Sequence, residues 1–425
     1  MLSQIGIQMV SIIDNIMVGK LGKIELSGVA FGGSVYFFFF LFLLGIAIAL
    51  TAIVGSYFSQ KQIEKIAEYF QNSFLLFNIL GIGFFLILYL TRNKLLNAFN
   101  QPIEVVEKAI PYYTFMISSI IPYMLYASFK QLLDGMGKTK INMVVILTAN
   151  VINIVLNYVF IYGNFGFPQM GGAGAGLASL ISTCFLPILL FLYTIVNKEF
   201  KEIYHYFSIK KFSFKINKEL FRLGLPIGLQ IFIENLTFVA TTIMVGWIST
   251  AEIAANQIAI KMASLAFMIS IGINTAVTIC VSQSYGIKNI PQIKKYSICS
   301  AHLSLCFSFI IATIFILFRV YIANIFIDDI DVILIASNLI ICVALFQFSD
   351  GLQSTFIGIL RGLQDVKMLI PISFLAYILI DFPLAYFLTF SLGLNSLGLW
   401  ISFILGLSVA GILYFFRIKK TMKTL

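Results

Sequence analysis

Four carboxylates stand inside long apolar runs of this chain: Asp14, Glu234, Asp350 and Asp381. Three amides, Asn150, Asn153 and Asn157, share another such run, NVINIVLN, at offsets of three and four. That spacing puts all three near one face of a helix. A carboxylate in apolar surroundings holds a proton or a cation. Two of them close together in a low dielectric keep one proton or share one ion. The chemistry these residue types offer is therefore ion binding and proton transfer. Bond-making chemistry would need a nucleophile–base pair or metal ligands. His205 and His302 have no matching partners, so no enzyme is expected. The five cysteines, Cys184, Cys280, Cys299, Cys306 and Cys342, lie in apolar segments without a CxxC pair. They read as small core residues with no disulfide or metal role, and no resident cofactor is expected.

The elements that position these groups follow from composition. Of 425 residues, 60% are hydrophobic, 15% aromatic and 11% charged. A soluble domain carries about 25% charged residues, and this chain has too few to cover its apolar surface. A soluble enzyme, a disordered scaffold and a free nucleic-acid-binding protein are excluded. The 43 Phe and the long apolar runs favour helices over a barrel, whose strands alternate polar and apolar residues. The first apolar stretch holds Asp14 and has no basic leader, so it reads as a span and not as a cleavable signal.

A span needs about 20 mostly apolar residues. Runs of that kind predict twelve helices, over 2–19, 30–58, 69–91, 111–133, 142–163, 172–196, 221–248, 257–284, 296–326, 332–361, 367–393 and 395–416. With the N-terminus in the cytoplasm, 21 of the 28 Lys and Arg fall on the inner side. The exceptions are Lys20, Lys23, Arg92, Lys94, Lys108, Lys261 and Arg319. Both termini are therefore placed inside. The net charge of +10 is a loop property and not a nucleic-acid signal. Residues 198–220 form a basic cytoplasmic linker near anionic lipid, between a lobe at 1–197 and a lobe at 221–425.

The two lobes repeat. Asp14-Asn15-Ile16-Met17-Val18-Gly19 matches Thr241-Thr242-Ile243-Met244-Val245-Gly246 at a spacing of 227. Glu25 and Glu252 keep that spacing, as do Leu133-Asp134-Gly135 and Leu360-Arg361-Gly362. Tyr57 and Tyr285 are 228 apart. Each copy holds six spans, an even number, so both enter the membrane the same way. The expected fold is an all-α polytopic membrane protein, twelve helices in two six-helix lobes about a pseudo-twofold along the membrane normal. Parallel repeats of this kind build many secondary transporters, with the substrate path at the lobe interface. Met1 aligns with Gly228, so 221–227 have no counterpart. The first span is short at its inner end by about two turns, ~10 Å, which suggests a misplaced start or a truncation.

None of the four acids is duplicated. At the 227 spacing Asp14 corresponds to Thr241, Glu234 to Ile7, Asp350 to Tyr123 and Asp381 to Ile154. Glu234 lies ~20 Å and Asp350 ~16 Å from the inner ends of their spans at 1.5 Å per residue. They share a level, as a Na⁺ or proton site would require; the alternative is two separate acids satisfied by hydroxyls or amides. Asp14, Asn153 and Asn157 share a depth nearer the outer end, and Asn150 reads equally as helix-gluing amide. Asp381 precedes Pro383, which frees a backbone carbonyl that a protonated acid can satisfy. Lys130 and Lys261, near span ends, are expected to snorkel. Asp134 and Arg361 read as gate or loop-packing residues. With acids deep and no deep basic cluster, the protein should attract cations. Tyr36, Phe37, Phe267, Phe346 and Phe348 are candidates to stack on an organic cation.

These residues resemble the multidrug and toxic compound extrusion (MATE) transporters. Asp14 to Gly19 is similar to the family's first-span signature. Pro226 with Glu234 is similar to the seventh span of its NorM-like branch, and Phe346 to Gln353 with Leu360-Arg361-Gly362 to the tenth. Asn153 and Asn157, followed by Gly171-Gly172-Ala173-Gly174, resemble the fifth and sixth. The resemblance implies export of organic cations and drugs in exchange for Na⁺ or H⁺ by alternating access. It implies a C-lobe cation site at Glu234 and Asp350 with Gln257 nearby, and an N-lobe site at Asp14, Asn153 and Asn157. It further implies a bacterial plasma-membrane protein, expected as a monomer. A lipid-linked oligosaccharide flippase is the competing expectation; it would want deep basic residues for pyrophosphate. The topology is checked by reporter fusions: alkaline phosphatase joined after His205 should be silent, and joined after Asp329 active. The reverse pattern would invert the assignment.

Overall fold

The computed structural model describes residues 13–207 and 212–425, and every element among them is helical. Residues 13–19 form the described part of α1. There follow α2 (Lys23–Ser59), α3 (Ile63–Asn97), α4 (Ile103–Ser118), α5 (Ile120–Gly135), α6 (Thr139–Tyr162), α7 (Gly172–Val196) and the short α8 (Lys201–Tyr206). Then come α9 (Phe214–Val245), α10 (Thr250–Gly286), α11 (Ile290–Phe326) and α12 (Ile330–Gly362). The last two are α13 (Leu369–Ser391) and α14 (Asn395–Thr424). Ten of these, α2, α3, α6, α7 and α9 to α14, are long and apolar enough to cross a membrane. The first expected span lies partly outside the described residues. The span expected over 111–133 is two helices, α4 and α5, broken at Ser119. Pro122 explains the break, because it has no N–H to give to the Ser118 carbonyl.

Helix starts carry their own donors' partners. Ser249 accepts from the Glu252 N–H at 3.2 Å. Asn289 accepts from Gln292 at 3.1 Å, and Asp329 from Asp331 at 3.0 Å. Each satisfies an N–H that the helix cannot. Elsewhere the chain turns on left-handed residues such as Gly163, φ 75°, which closes α6.

The chain forms two compact units that divide inside α9, between Gly228 and Leu229. In the first, α2 packs on the front of α9 through glycines. A Cβ on Gly45 would lie 2.5 Å from the Gly228 Cα, and one on Gly224 2.5 Å from the Ile46 carbonyl. Asn72 on α3 anchors the start of α9, accepting from the Ser213 N–H at 2.8 Å and the Asn217 amide at 2.9 Å. Lys130, expected to snorkel, is instead buried in an ion pair with Asp134 at 2.7 Å. Asn142 donates to the other Asp134 oxygen at 2.6 Å. Asp134 supplies the partner that lets a lysine stay inside.

In the second unit an aromatic core gathers Phe238, Phe346, Trp400 and Phe403. Beyond α12, Asp365 takes both Arg417 Nε, at 2.7 Å, and Arg417 Nη2, at 2.8 Å. Burial opposes the charge, but Arg417 and Thr421 hold this carboxyl below its ordinary range.

The repeat survives to the level of single contacts. A Cβ on Gly135 would meet the Val54 Cβ at 2.7 Å and the Thr51 carbonyl at 2.8 Å. One on Gly362 would meet the Val281 Cβ at 2.8 Å and the Thr278 carbonyl at 2.9 Å. All three pairs are 227 apart. The acids at Glu25 and Glu252 also play matching parts. Glu25 accepts from the first N–H of α7, at Gly172, at 2.9 Å and pairs with Lys108 at 2.6 Å. Glu252 accepts from Ser396, in the first turn of α14. In each unit the second helix thus holds the start of the sixth. Because each added carbon would meet a backbone carbonyl and a β-branched Cβ, neither of which can swing away, Gly135→Ala and Gly362→Ala should each destabilise the protein by ~1–3 kcal/mol of overpacking. Gly83→Ala, with nothing within 4 Å of the added carbon, should not. Thermal unfolding in detergent reads the difference, and equal midpoints for all three would refute it.

Candidate functional site

In the first unit α1, α6 and α7 bring four polar side chains into a closed ring. Asn157 donates to Asp14 Oδ1 at 2.5 Å. Ser179 donates to Asp14 Oδ2 at 3.0 Å. Asn157 also donates to Asn153 Oδ1 at 3.1 Å, and Asn153 donates to Ser179 Oγ at 3.2 Å. All four are buried. The expected trio of Asp14, Asn153 and Asn157 is thus one cluster. Sequence reasoning missed Ser179, because a serine in a run of small residues, GAGAGLAS, gives no signal of its own.

Asp14 and Ser179 face a cavity of about 390 Å³. Tyr36, Phe37, Phe40, Tyr112, Tyr123 and Tyr126 line it, with Asn150 beside them. Tyr36 stacks on Phe40 at 5.3 Å and shares a 3.4 Å hydrogen bond with Ser119, at the α4–α5 break. Among the described residues the lining holds one acid and neither Lys nor Arg. An acid surrounded by ring faces suits a cation with an apolar body.

The second unit is built differently. Glu234, one turn after Gln230 on α9, accepts from the Gln230 amide at 2.7 Å. Tyr377 on α13 donates to the other Glu234 oxygen at 3.4 Å, and Gln353 donates to Tyr377 at 2.6 Å. Behind Gln230 stands Arg361, donating to its amide oxygen at 2.8 Å. Asp350 is buried and takes a hydrogen bond from Ser270 on α10. It feels the charge of Glu234. Its Oδ2 has no partner, and neither does Gln353 Oε1. Next to Asp350, Gly351 leaves room for the hydroxyls of Ser304 and Ser308. Two unpaired oxygens among hydroxyls and amides are a donor set that fits a proton or a small hard cation.

Several expectations need correction here. Arg361 is no loop residue: it is a buried cation that feels Glu234, so the acids are not without a deep partner of opposite sign. Gln257 is exposed and stands apart from these acids. It precedes Ser270 by thirteen positions on α10, ~20 Å along the axis, while Asn256 turns inward to accept from Trp400 at 2.9 Å. Phe346 is 3% exposed and sits edge-on to Trp400 in the aromatic core, so it is not free to line a cavity. Phe267, half-buried on α10, belongs to the second unit, and the first-unit cavity does not bear on it. Asp381 is buried, but neither of its oxygens finds the carbonyl expected to be freed by Pro383.

Comparison with known proteins agrees with this architecture. The family model described as MatE matches residues 1–159 and 226–387. A "Probable multidrug resistance protein NorM" of Bacillus subtilis is 32% identical over 422 residues, 99% of this chain and 93% of that protein. A protein of the same name from Halalkalibacterium halodurans is 30% identical, covering 100% and 92%. The fold matches the crystal structure of the eukaryotic MATE transporter AtDTX14 with a TM-score of 0.89, at 21% identity, over 100% of this chain and 95% of that one. It also matches a MOP superfamily transporter from Pyrococcus furiosus with a TM-score of 0.88, at 19% identity, over 100% and 94%. Full-length identity to NorM relatives, a matching family model and the shared fold together place the chain in the MATE family.

Proposed function

We propose that the protein exports organic cations and drugs across the plasma membrane of a bacterium, in exchange for Na⁺ or H⁺. The observation that carries this reading is the buried Asp14 ring on the wall of a tyrosine-rich cavity. NorM relatives named for multidrug resistance support it over the full chain. In this reading the protein is a transporter and not an enzyme. It works as a monomer, with both termini cytoplasmic and no cofactor besides the coupling ion.

The mechanism follows from competition for the same charges. An organic cation in the cavity is held by Asp14 and the ring faces. A proton or Na⁺ that reaches Asp14, or Glu234 with Asp350, cancels the negative charge and loosens that hold. The ion drives transport only if it binds one state of the protein better than the other. Asp350 Oδ2 and Gln353 Oε1 are the free oxygens through which the second unit would take it. Arg361 pulls on Glu234 through Gln230, which leaves Asp350 as the carboxyl with spare capacity. The flippase reading is disfavoured by the lining of the cavity, whose described residues include no base for a pyrophosphate.

The test is export of a fluorescent organic cation such as ethidium from proteoliposomes, under a pure Na⁺ gradient and then a pure pH gradient. Asp350→Asn and Glu234→Gln should each slow gradient-driven export at least about tenfold, the effect of ~1.4 kcal/mol. Wild-type rates in both variants would sink the coupling assignment. Ser179→Ala removes one donor to Asp14, a bond to a charged group worth ~1.5–3 kcal/mol. It should weaken transport under the same gradients, and Asp14→Asn should abolish it; unchanged rates would separate the ring from function.

A further inference from the structure

Asp381 is the one deep acid that the mechanism above does not use. It is fully buried, and among the described residues neither carboxyl oxygen has a hydrogen-bond partner at bonding geometry. Ser402 lies beside it on α14, but that hydroxyl donates to the Leu399 carbonyl at 2.8 Å. Gly406, also on α14, packs flush against it: an added Cβ would lie 2.7 Å from the Asp381 Cβ.

The repeat shows what this place is. Gly174 on α7 packs on the Phe160 carbonyl group, and Gly398 on α14 makes the same contact with Leu388. That pair fixes α6 against α13 at a spacing of 228, one more than the 227 of the preceding helices. The extra residue lies between Gly362 and Leu388, a stretch that holds the π-helical turns over Phe374–Asp381, wider than α-helical ones, and we place it there. At this register Asp381 is the counterpart of Asn153, not of Ile154. Asn157 corresponds to Ala385 and Asp14 to Thr241, which is buried and donates to its own helix at 2.9 Å. The locus that holds a closed polar ring in the first unit holds a solitary carboxyl in the second.

We propose that Asp381 is a proton-binding site. An ionised carboxylate here would have, among the described residues, no cation and only the Ser402 hydroxyl, already given to the Leu399 carbonyl, to replace its lost water. Carrying H⁺ on one oxygen, it is a neutral acid whose O–H can donate to the Ser402 hydroxyl oxygen beside it. The step is the gain or loss of one O–H bond, with the proton drawn from or returned to water. The groups that face it are few. α14 offers Ser402 and Gly406, and neither titrates. On its own helix Tyr377, one turn earlier, feels the charges of Asp381, Glu234 and Asp350. Tyr377 donates to Glu234. A proton leaving Asp381 therefore changes the field at the hydroxyl that supports Glu234.

The protonation stands on the geometry alone, and its part in coupling rests on the export reading above, so two measurements keep them apart. Infrared spectra of the purified protein should show a carboxylic-acid C=O band at neutral pH that fades as pH rises. That band should be missing from Asp381→Asn and shifted in Asp381→Glu. Identical acid-region spectra for wild type and Asp381→Asn, or a band that never titrates, would overturn the proposal. In proteoliposomes with an imposed pH gradient, Asp381→Asn should still move ethidium, with fewer protons exchanged per ethidium than wild type. An unchanged ratio would remove Asp381 from coupling. A wild type that moves no ethidium would overturn the export reading and leave the infrared result to decide the site.

Discussion

Taking a carboxylate out of water costs several kcal/mol unless donors or a cation replace its hydration, and the polar interior of this protein is arranged around that cost. The four deep acids meet it to different degrees. Asp14 has an amide on one oxygen and a hydroxyl on the other, and those donors are themselves tied together. Glu234 has an amide and a phenol, with Arg361 one bond behind. Asp350 keeps one oxygen unpaired and Asp381 keeps both. An acid already saturated with donors gains less from an added cation than one with a bare oxygen. The ordering therefore grades these sites from those suited to staying charged to those suited to taking up an ion or a proton.

Packing and charge follow different histories along the repeat. Thr51, Val54 and Gly135 reappear as Thr278, Val281 and Gly362 with contacts that agree to about 0.1 Å. Between helices that close, a glycine faces a backbone carbonyl and a valine Cβ, and there is no space in which a side chain can vary. The acids sit where side chains face cavities or small residues, so each unit holds its own set. A shared frame thus carries two unlike polar interiors.

Much of this was legible in the sequence, for physical reasons. Apolar runs are long-range signals, so the helices were readable, although one expected span is divided where Pro122 breaks it. Asn153 and Asn157 were readable because helical spacing places them on one face, and Asp14 because a carboxylate in an apolar run is costly. Ser179, Ser270 and Gln230 were not, since hydroxyls and amides are common in helices and only a partner makes them part of a site. Arg361 was misjudged because a charge at the end of a run reads as surface until its acid is found. Gln257 and Phe346 failed on orientation, which residue type alone does not fix: one faces out, and the other is locked among rings. Asp381 was placed one position out of register because a π turn leaves no mark in composition.

The division of the chain inside α9 bears on how the protein can be taken apart. The obvious place to cut is the polar stretch near residue 210, which separates the halves in sequence. The first unit, however, extends to Gly228, and its glycines at Gly45 and Gly224 close on the front of α9. A fragment ending before Phe214 would lose about four turns of α9 and with them the glycine contacts of α2 at Gly224 and Gly228. The boundary of the first unit therefore lies in the body of α9 and not in the polar stretch before it.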